Sequence, residues 1–139
     1  MNTDKLREIL DKFEIINDKL VIKNDLIKTI NFLEDFYNFK MLKNITAVDN
    51  GNEIELIYHL YNLEDDENLL VSISTNDEIE SVSEIFDSAI ADEKEIYDLF
   101  GIKFLGNKEL KRLYMPESWD GHPLKKDYEE KDERLSWND

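Results

Sequence analysis

Residues 45–62 read ITAVDNGNEIELIYHLYN, and their pattern decides the fold class. Asn50-Gly51 is a strong short-range hairpin signal, because both residue types tolerate the positive φ that tight turns between strands demand. After it, Ile54, Leu56, Tyr58 and Leu60 alternate with Glu53, Glu55, Ile57 and His59, the two-residue period of a strand with one buried face. Residues 45–49 supply the partner strand. Across the polar loop NLEDDEN, residues 68–74 place Leu69, Val71 and Ile73 on one face. The expectation is a three-stranded antiparallel meander whose apolar face lies under helices.

The flanking sequence supplies those helices. Leu6, Ile9, Leu10 and Phe13 follow the i, i+3, i+4, i+7 spacing of an amphipathic helix. A short strand fits residues 19–23. A second helix reads over residues 25–38, with Leu26, Ile30, Leu33 and Tyr37 on one face and Asn24 as N-cap. Beyond the meander, Ser81 and Glu84 have capping-box spacing and predict a helical region. Asp92 and Glu95 repeat that spacing at the start of EKEIYDLF, where Ile96, Leu99 and Phe100 form the apolar stripe and Gly101 stops the helix. An extended piece over 102–105, a strand over 111–115 and a charged tail over 129–139 follow. The predicted fold is α+β: a small, mainly antiparallel sheet with helices packed on one face and an extended C-terminal arm. Residues 1–128 form one domain that includes the arm at 101–128.

The 139 residues are 41% hydrophobic and 11% aromatic, enough for one modest core. No apolar run approaches the roughly 18 residues that would span a bilayer, and the N-terminus MNTDKLREIL has no basic start followed by an apolar run. With no cysteine there is no thiolate nucleophile and no Cys-ligated cluster. A cytosolic location is the default. A formal charge of −16 argues against nucleic acid and against unaided binding to an anionic membrane.

The charge is uneven. Residues 101–128 carry six Lys/Arg against four Asp/Glu, a net of +2, which leaves −18 on the rest of a chain whose total is −16. The same segment holds three of the four glycines, both prolines and Trp119. A rigid, partly basic, aromatic-bearing stretch has the composition of an interface, since Trp, Tyr and Arg dominate binding hot spots and Pro lowers the entropy cost of ordering.

Groups that could carry chemistry are few. His122, flanked by Gly121 and Pro123, could act as a general base oriented by Asp120 or Asp127, but no nucleophile accompanies it. A His in such a turn reads better as a shaping residue. His59 reads as a histidine on the more exposed sheet face. The two histidines share no ligand spacing and no zinc motif exists. The acidic runs 64–67 and 129–133 lack the loop pattern of a calcium site. Glu93, Glu95 and Asp98 lie together on one short helix beside Tyr97. Glu93 reads as favourable charge near a helix N-terminus, on an exposed face. Asp98 lies in the last turn, where a negative charge opposes the helix dipole, and calls for a cation; Arg112 is the candidate.

The stretch DEKEIYDLFGIKFLGNKELKRLYMPESWDGHPLKKDY, residues 92–128, resembles the signature of the C-subunit family of NADH–quinone oxidoreductase. That signature runs ERE-x-YD-x-FGI-x-F-x-GHPDLRR, followed by Pro-Glu-x-Trp-x-Gly-His-Pro-Leu-Arg-Lys-Asp-Tyr. Residues 45–62 and the segments LLVSIST and VSEIFDSA resemble the family's sheet and helical lead-in, so the likeness covers residues 44–128. Departures are Ala91-Asp92 where an aromatic is usual, Lys94 for the ERE arginine, Gly106-Asn107-Lys108-Glu109 for GHPD, and Lys125 for an Arg.

The resemblance implies a cofactor-free subunit of respiratory complex I or of a related energy-converting [NiFe] hydrogenase, peripheral on the cytoplasmic face of the cell membrane. Its partners would be the large catalytic subunit, with a quinone or hydrogenase site, and an iron–sulfur subunit. Clusters, and flavin or NiFe, would belong to those partners, and membrane contact would come through the complex. Under this reading Glu93, Glu95, Tyr97, Asp98, Phe100, Gly101, Phe104, Arg112 and Pro116 form the helix-to-arm junction. Trp119, Gly121, His122, Pro123, Leu124, Lys125, Lys126, Asp127 and Tyr128 contact the partner. Two other readings stay open on the residues alone: a stand-alone acidic adaptor that mimics a polyanion, and a hydrolase using His122.

Overall fold

The computed structural model describes residues 4–9, 13–16 and 18–107. Among them, helices α1 (Asp4–Ile9), α2 (Leu26–Asp35) and α3 (Ala89–Phe100) accompany strands β1 (Phe13–Ile16), β2 (Lys19–Ile22), β3 (Met41–Asp49), β4 (Ile54–Asn62), β5 (Glu67–Thr75), β6 (Glu78–Glu80) and β7 (Lys103–Leu105). The expected strand at 111–115, Leu10 of the first helical stripe and the arm from 108 onward lie outside the described residues.

The α+β class holds. The meander β3-β4-β5 is antiparallel throughout and forms the centre of a five-stranded sheet of order β1-β2-β5-β4-β3. β2 runs parallel to β5, with Leu20 opposite Val71, so the sheet is mixed. A separate parallel pair, β6 with β7, sits after the meander. Leu56, Tyr58, Leu60, Val71 and Ile73 on the inner face join Leu6, Leu26, Ile30, Leu33 and Ile96 from the helices in one hydrophobic cluster.

Several boundaries differ from the sequence expectation, each for a local reason. β3 starts at Met41, not at 45, because Lys43 is an extra residue between the pairs Leu42–Leu60 and Asn44–His59. This bulge lets Leu42 and Ile45, three apart, face the same core and breaks the alternation. The hairpin loop has four residues: Asp49 pairs with Ile54, and the Asn50 N–H donates to the Glu53 carbonyl. Gly51 takes φ 99 there, a value a side chain resists. Phe13 belongs to a strand rather than to the first helix; α1 has ended by then, and Phe13 pairs with Ile22 across a turn in which Asp18 takes φ 64.

Asn24 is not the N-cap of α2. Asp25 precedes the helix in a left-handed conformation, and its carbonyl accepts both the Thr29 N–H and the Thr29 hydroxyl. The helix stops at Asp35, before Tyr37. Asn38 at φ 65 turns the chain so that the Phe39 N–H reaches the Leu33 carbonyl and closes the helix end. Residues 81–88 form turns instead of a helix. The reason lies in Ser81, whose hydroxyl is committed elsewhere.

Candidate functional site

The helix α3, its cap and β7 carry seven of the junction residues expected from the sequence. Ala89, Glu93, Ile96 and Phe100 follow helical spacing, so Glu93 occupies a position on the core-facing stripe. It is not on an exposed face: Glu93 is 0% exposed, and this overturns the helix N-terminal reading. Its Oε1 accepts the Ser81 hydroxyl at 2.6 Å and the Asn107 side-chain amide at 2.9 Å. Its Oε2 accepts the Val82 N–H at 2.9 Å. One carboxylate thereby joins the exit of β6, the helix α3 and the second residue after β7. Burial pushes the Glu93 carboxyl above its usual range; the Ser81, Val82 and Asn107 donors oppose that shift, and the nearby Asp92 charge adds to it. Bonds to an ionised acceptor are about twice as strong as neutral ones, which is how three donors hold a carboxylate in the core.

Asp92 does not cap the helix. Its Oδ2 accepts the Ile45 N–H at 3.0 Å, and the Ser88 hydroxyl donates to the Leu42 carbonyl at 3.0 Å. Both groups lie on the side of β3 away from β4, where an edge strand would otherwise offer unpaired backbone. Burial raises the Asp92 carboxyl, and the Ile45 N–H opposes it.

Asp98 is fully buried, as Phe104 nearly is; Phe100 and Tyr97 are half-buried and Glu95 is exposed. Gly101 ends α3 at φ 81 with its N–H on the Tyr97 carbonyl, a conformation that favours glycine. Glu93, Glu95, Tyr97, Asp98 and Phe100 thus lie on α3, Gly101 caps it and Phe104 lies in β7. Arg112, Pro116, Trp119, Gly121, His122, Pro123, Leu124, Lys125, Lys126, Asp127 and Tyr128 lie outside the described residues. So does the proposed Asp98–Arg112 pair.

The sequence reading missed Ser81, Val82 and Asn107 as partners of Glu93. Only the helical register of Glu93 with Ala89, Ile96 and Phe100 signalled its burial. Tyr58 lies on the buried face as expected, but its hydroxyl has no hydrogen-bond partner among the described residues, which the alternation does not signal. Burial, and secondarily the Glu93 charge, push that hydroxyl far above its usual range. His59 lies on the outer sheet face, as expected, with Nε2 2.8 Å from Asn68 Oδ1. On the same face Glu55 accepts Ser72 Oγ at 2.6 Å and Lys19 Nζ at 3.0 Å. Among the described residues, no group of three or more His, Cys, Asp or Glu side chains could hold a metal ion. No described helix is long and apolar enough to cross a membrane.

Fold and site together define a class: an α+β domain in which the last described helix is anchored by a buried acid. The chain matches the family described as the 30 kDa subunit of respiratory-chain NADH dehydrogenase over residues 20–134, and it belongs to that family. It is 32% identical over 138 residues to the C subunit of NADH-quinone oxidoreductase from Geobacter metallireducens, covering 89% of this chain and 85% of that protein. It is 39% identical over 94 residues to the C/D subunit of NADH-quinone oxidoreductase from Phocaeicola vulgatus, covering 64% of this chain but 18% of that protein. Among solved structures, a chain of the membrane-bound sulfane sulfur reductase, an archaeal respiratory membrane complex, has the same fold. The TM-score is 0.58 at 23% identity, over 81% of this chain and 75% of that one.

Proposed function

We propose that the chain is a cofactor-free structural subunit of a membrane-bound, complex I-like oxidoreductase. It docks on the large catalytic subunit through residues 101–128, beside an iron–sulfur subunit, on the cytoplasmic face of the membrane. Residues 1–128 act as one unit, and 129–139 form a charged tail. The complex passes electrons to quinone or protons and couples this to ion translocation; clusters and flavin or nickel–iron reside in the partners. The observation that carries this reading is the continuity between the signature and the junction. The first part of the signature falls on α3, its glycine cap and β7; Glu93 ties α3 to the residues after β6 and to Asn107 beyond β7, and Asp92 ties α3 to β3. The arm therefore departs from rigid ground, which lowers the ordering cost of docking.

The test is affinity purification of the tagged chain from gently solubilised native membranes, with mass spectrometry of what accompanies it. A large subunit, an iron–sulfur subunit and antiporter-like membrane proteins are expected. Nickel-ligating cysteines in the large subunit, or their absence, separate hydrogenase from quinone reductase. Recovery of the chain alone, under conditions that keep such complexes intact, would overturn the reading in favour of an adaptor.

A further inference from the structure

The C-terminal end of α2 carries a feature that the docking arm does not use. Phe32 and Phe36 stack with centroids 5.1 Å apart and planes 7° from parallel. Tyr37 meets Phe36 edge-on at 4.9 Å and Phe32 at 5.6 Å. Phe36 is nevertheless 55% exposed. The tip of the β4–β5 hairpin is tied to the same corner: the buried Asn62 donates through Nδ2 to the Tyr37 carbonyl at 3.1 Å. Next to Asn62, Leu63 is 73% exposed. Asn62 also accepts the Asp65 N–H, and the Tyr61 hydroxyl donates to Asp66, so the tip is held in shape. Single exposed apolar residues are ordinary on a protein surface, but a pre-stacked ring trio beside a presented leucine is a patch.

Charge indicates what fits it. Glu34 and Asp35 border the rings on α2, and Glu64, Asp65 and Asp66 border Leu63 on the tip. Among the described residues, Lys40 and Lys43 at this end are already engaged. Lys40 Nζ is 3.1 Å from Glu34, and Lys43 Nζ donates to Asn68 and lies 4.2 Å over the Tyr61 ring. An apolar centre within an acidic rim complements an apolar side chain flanked by lysine or arginine. A second copy of this chain would oppose one acidic rim to another.

We propose that this corner, centred on Phe36 and Leu63, is a second docking surface. It takes a basic segment of a neighbouring protein subunit that inserts an aliphatic side chain against the rings. The proposal rests on the reading of the chain as a subunit of a larger complex, but it concerns a surface distinct from residues 101–128. Rigid aromatic anchors lose little entropy on binding, which suits Phe36 to the role of a hot spot.

The experiment replaces Phe36 with the photocrosslinker p-benzoylphenylalanine in the tagged full-length chain, in native membranes. The complex is purified after irradiation and the crosslinked peptide sequenced. A peptide from another subunit with Lys or Arg beside a Leu, Ile, Val or Met is expected. In parallel, Phe36→Ser with Leu63→Ser should reduce subunit retention at moderate salt at least about tenfold, while the unfolding midpoint stays near that of the wild type. A recovered complex with no crosslink at Phe36, or a crosslink to a second copy of this chain or to an acidic peptide, overturns the docking corner and leaves the arm reading standing. Recovery of no complex at all overturns both.

Discussion

Replacing Glu93 tests whether a buried carboxylate organises the junction. In Glu93→Ala the Val82 N–H loses its acceptor in the core, and a stranded buried donor costs about 1–3 kcal/mol. The Ser81 hydroxyl has an alternative partner in Ser83 at 2.7 Å, so its loss is small. Asn107 is buried and loses its bond as well. Removing the desolvated charge offsets part of this, while the cavity adds to it. The expected net loss is about 2–4 kcal/mol, a large share of the roughly 5–15 kcal/mol that stabilises a typical domain. Glu93→Gln keeps an oxygen for Ser81 and Asn107 but points an amide at the Val82 N–H, so it should cost less, about 1–2 kcal/mol.

Equilibrium urea unfolding followed by tryptophan-independent far-UV signal measures both variants. The pH dependence sharpens the test. Because burial raises the Glu93 carboxyl in the folded chain, the folded state binds its proton more tightly than the unfolded state. The contribution of this group to stability is then greatest below its ordinary value of 4.5 and falls as pH rises through the raised value. The gap between wild type and Glu93→Gln should therefore widen on acidification, with shared groups such as Asp92 cancelling in the difference. Two variants within about 0.5 kcal/mol of wild type, with no pH-dependent gap, would refute the reasoning.

Asp92→Ala should cost about 1–2 kcal/mol by stranding the Ile45 N–H, and should increase association through the opened β3 edge in size-exclusion chromatography; Asp92→Asn should recover most of the loss. Glu55→Gln should cost about 1 kcal/mol at neutral pH. The Ser72 hydroxyl chiefly, and Lys19 after it, hold the Glu55 carboxyl below its usual range. Its contribution is thus present above 4.5 and lost as pH falls through the lowered value, so acid denaturation curves of the two proteins should converge at low pH. Neutralising Lys125 and Lys126 together should release the subunit from its complex with an unchanged unfolding midpoint. Intact co-purification of that variant would refute the arm as the principal contact.

The meander was legible because Ile54, Leu56, Tyr58 and Leu60 alternate without interruption, and burial of one face is a local pattern. The start of β3 was not, since the bulge at Lys43 moves Leu42 off the period. The strand at β2 could be read from its apolar residues, but not its parallel partner, because KLVI encodes an extended segment and nothing about which segment it meets. Capping-box spacing at Ser81 and Glu84 misled because the Ser81 hydroxyl serves Glu93 rather than a helix end. Glu93 itself carried its signal in its helical register. Its three partners come from two other parts of the chain, and only the tertiary structure brings them in.

The parallel contact between β2 and β5 also sets an order of events. Leu20 meets Val71, so the N-terminal hairpin has no place in the sheet until the whole meander exists. β3, β4 and β5 close through short loops and can form early, whereas the first strands made must wait for a late one. During synthesis, the backbone edge of β2 that pairs with β5 stays open until residues up to Thr75 have left the ribosome. Chaperones thus have their longest opportunity at this hairpin, and mutations in β2 should speed unfolding while leaving the refolding rate nearly unchanged.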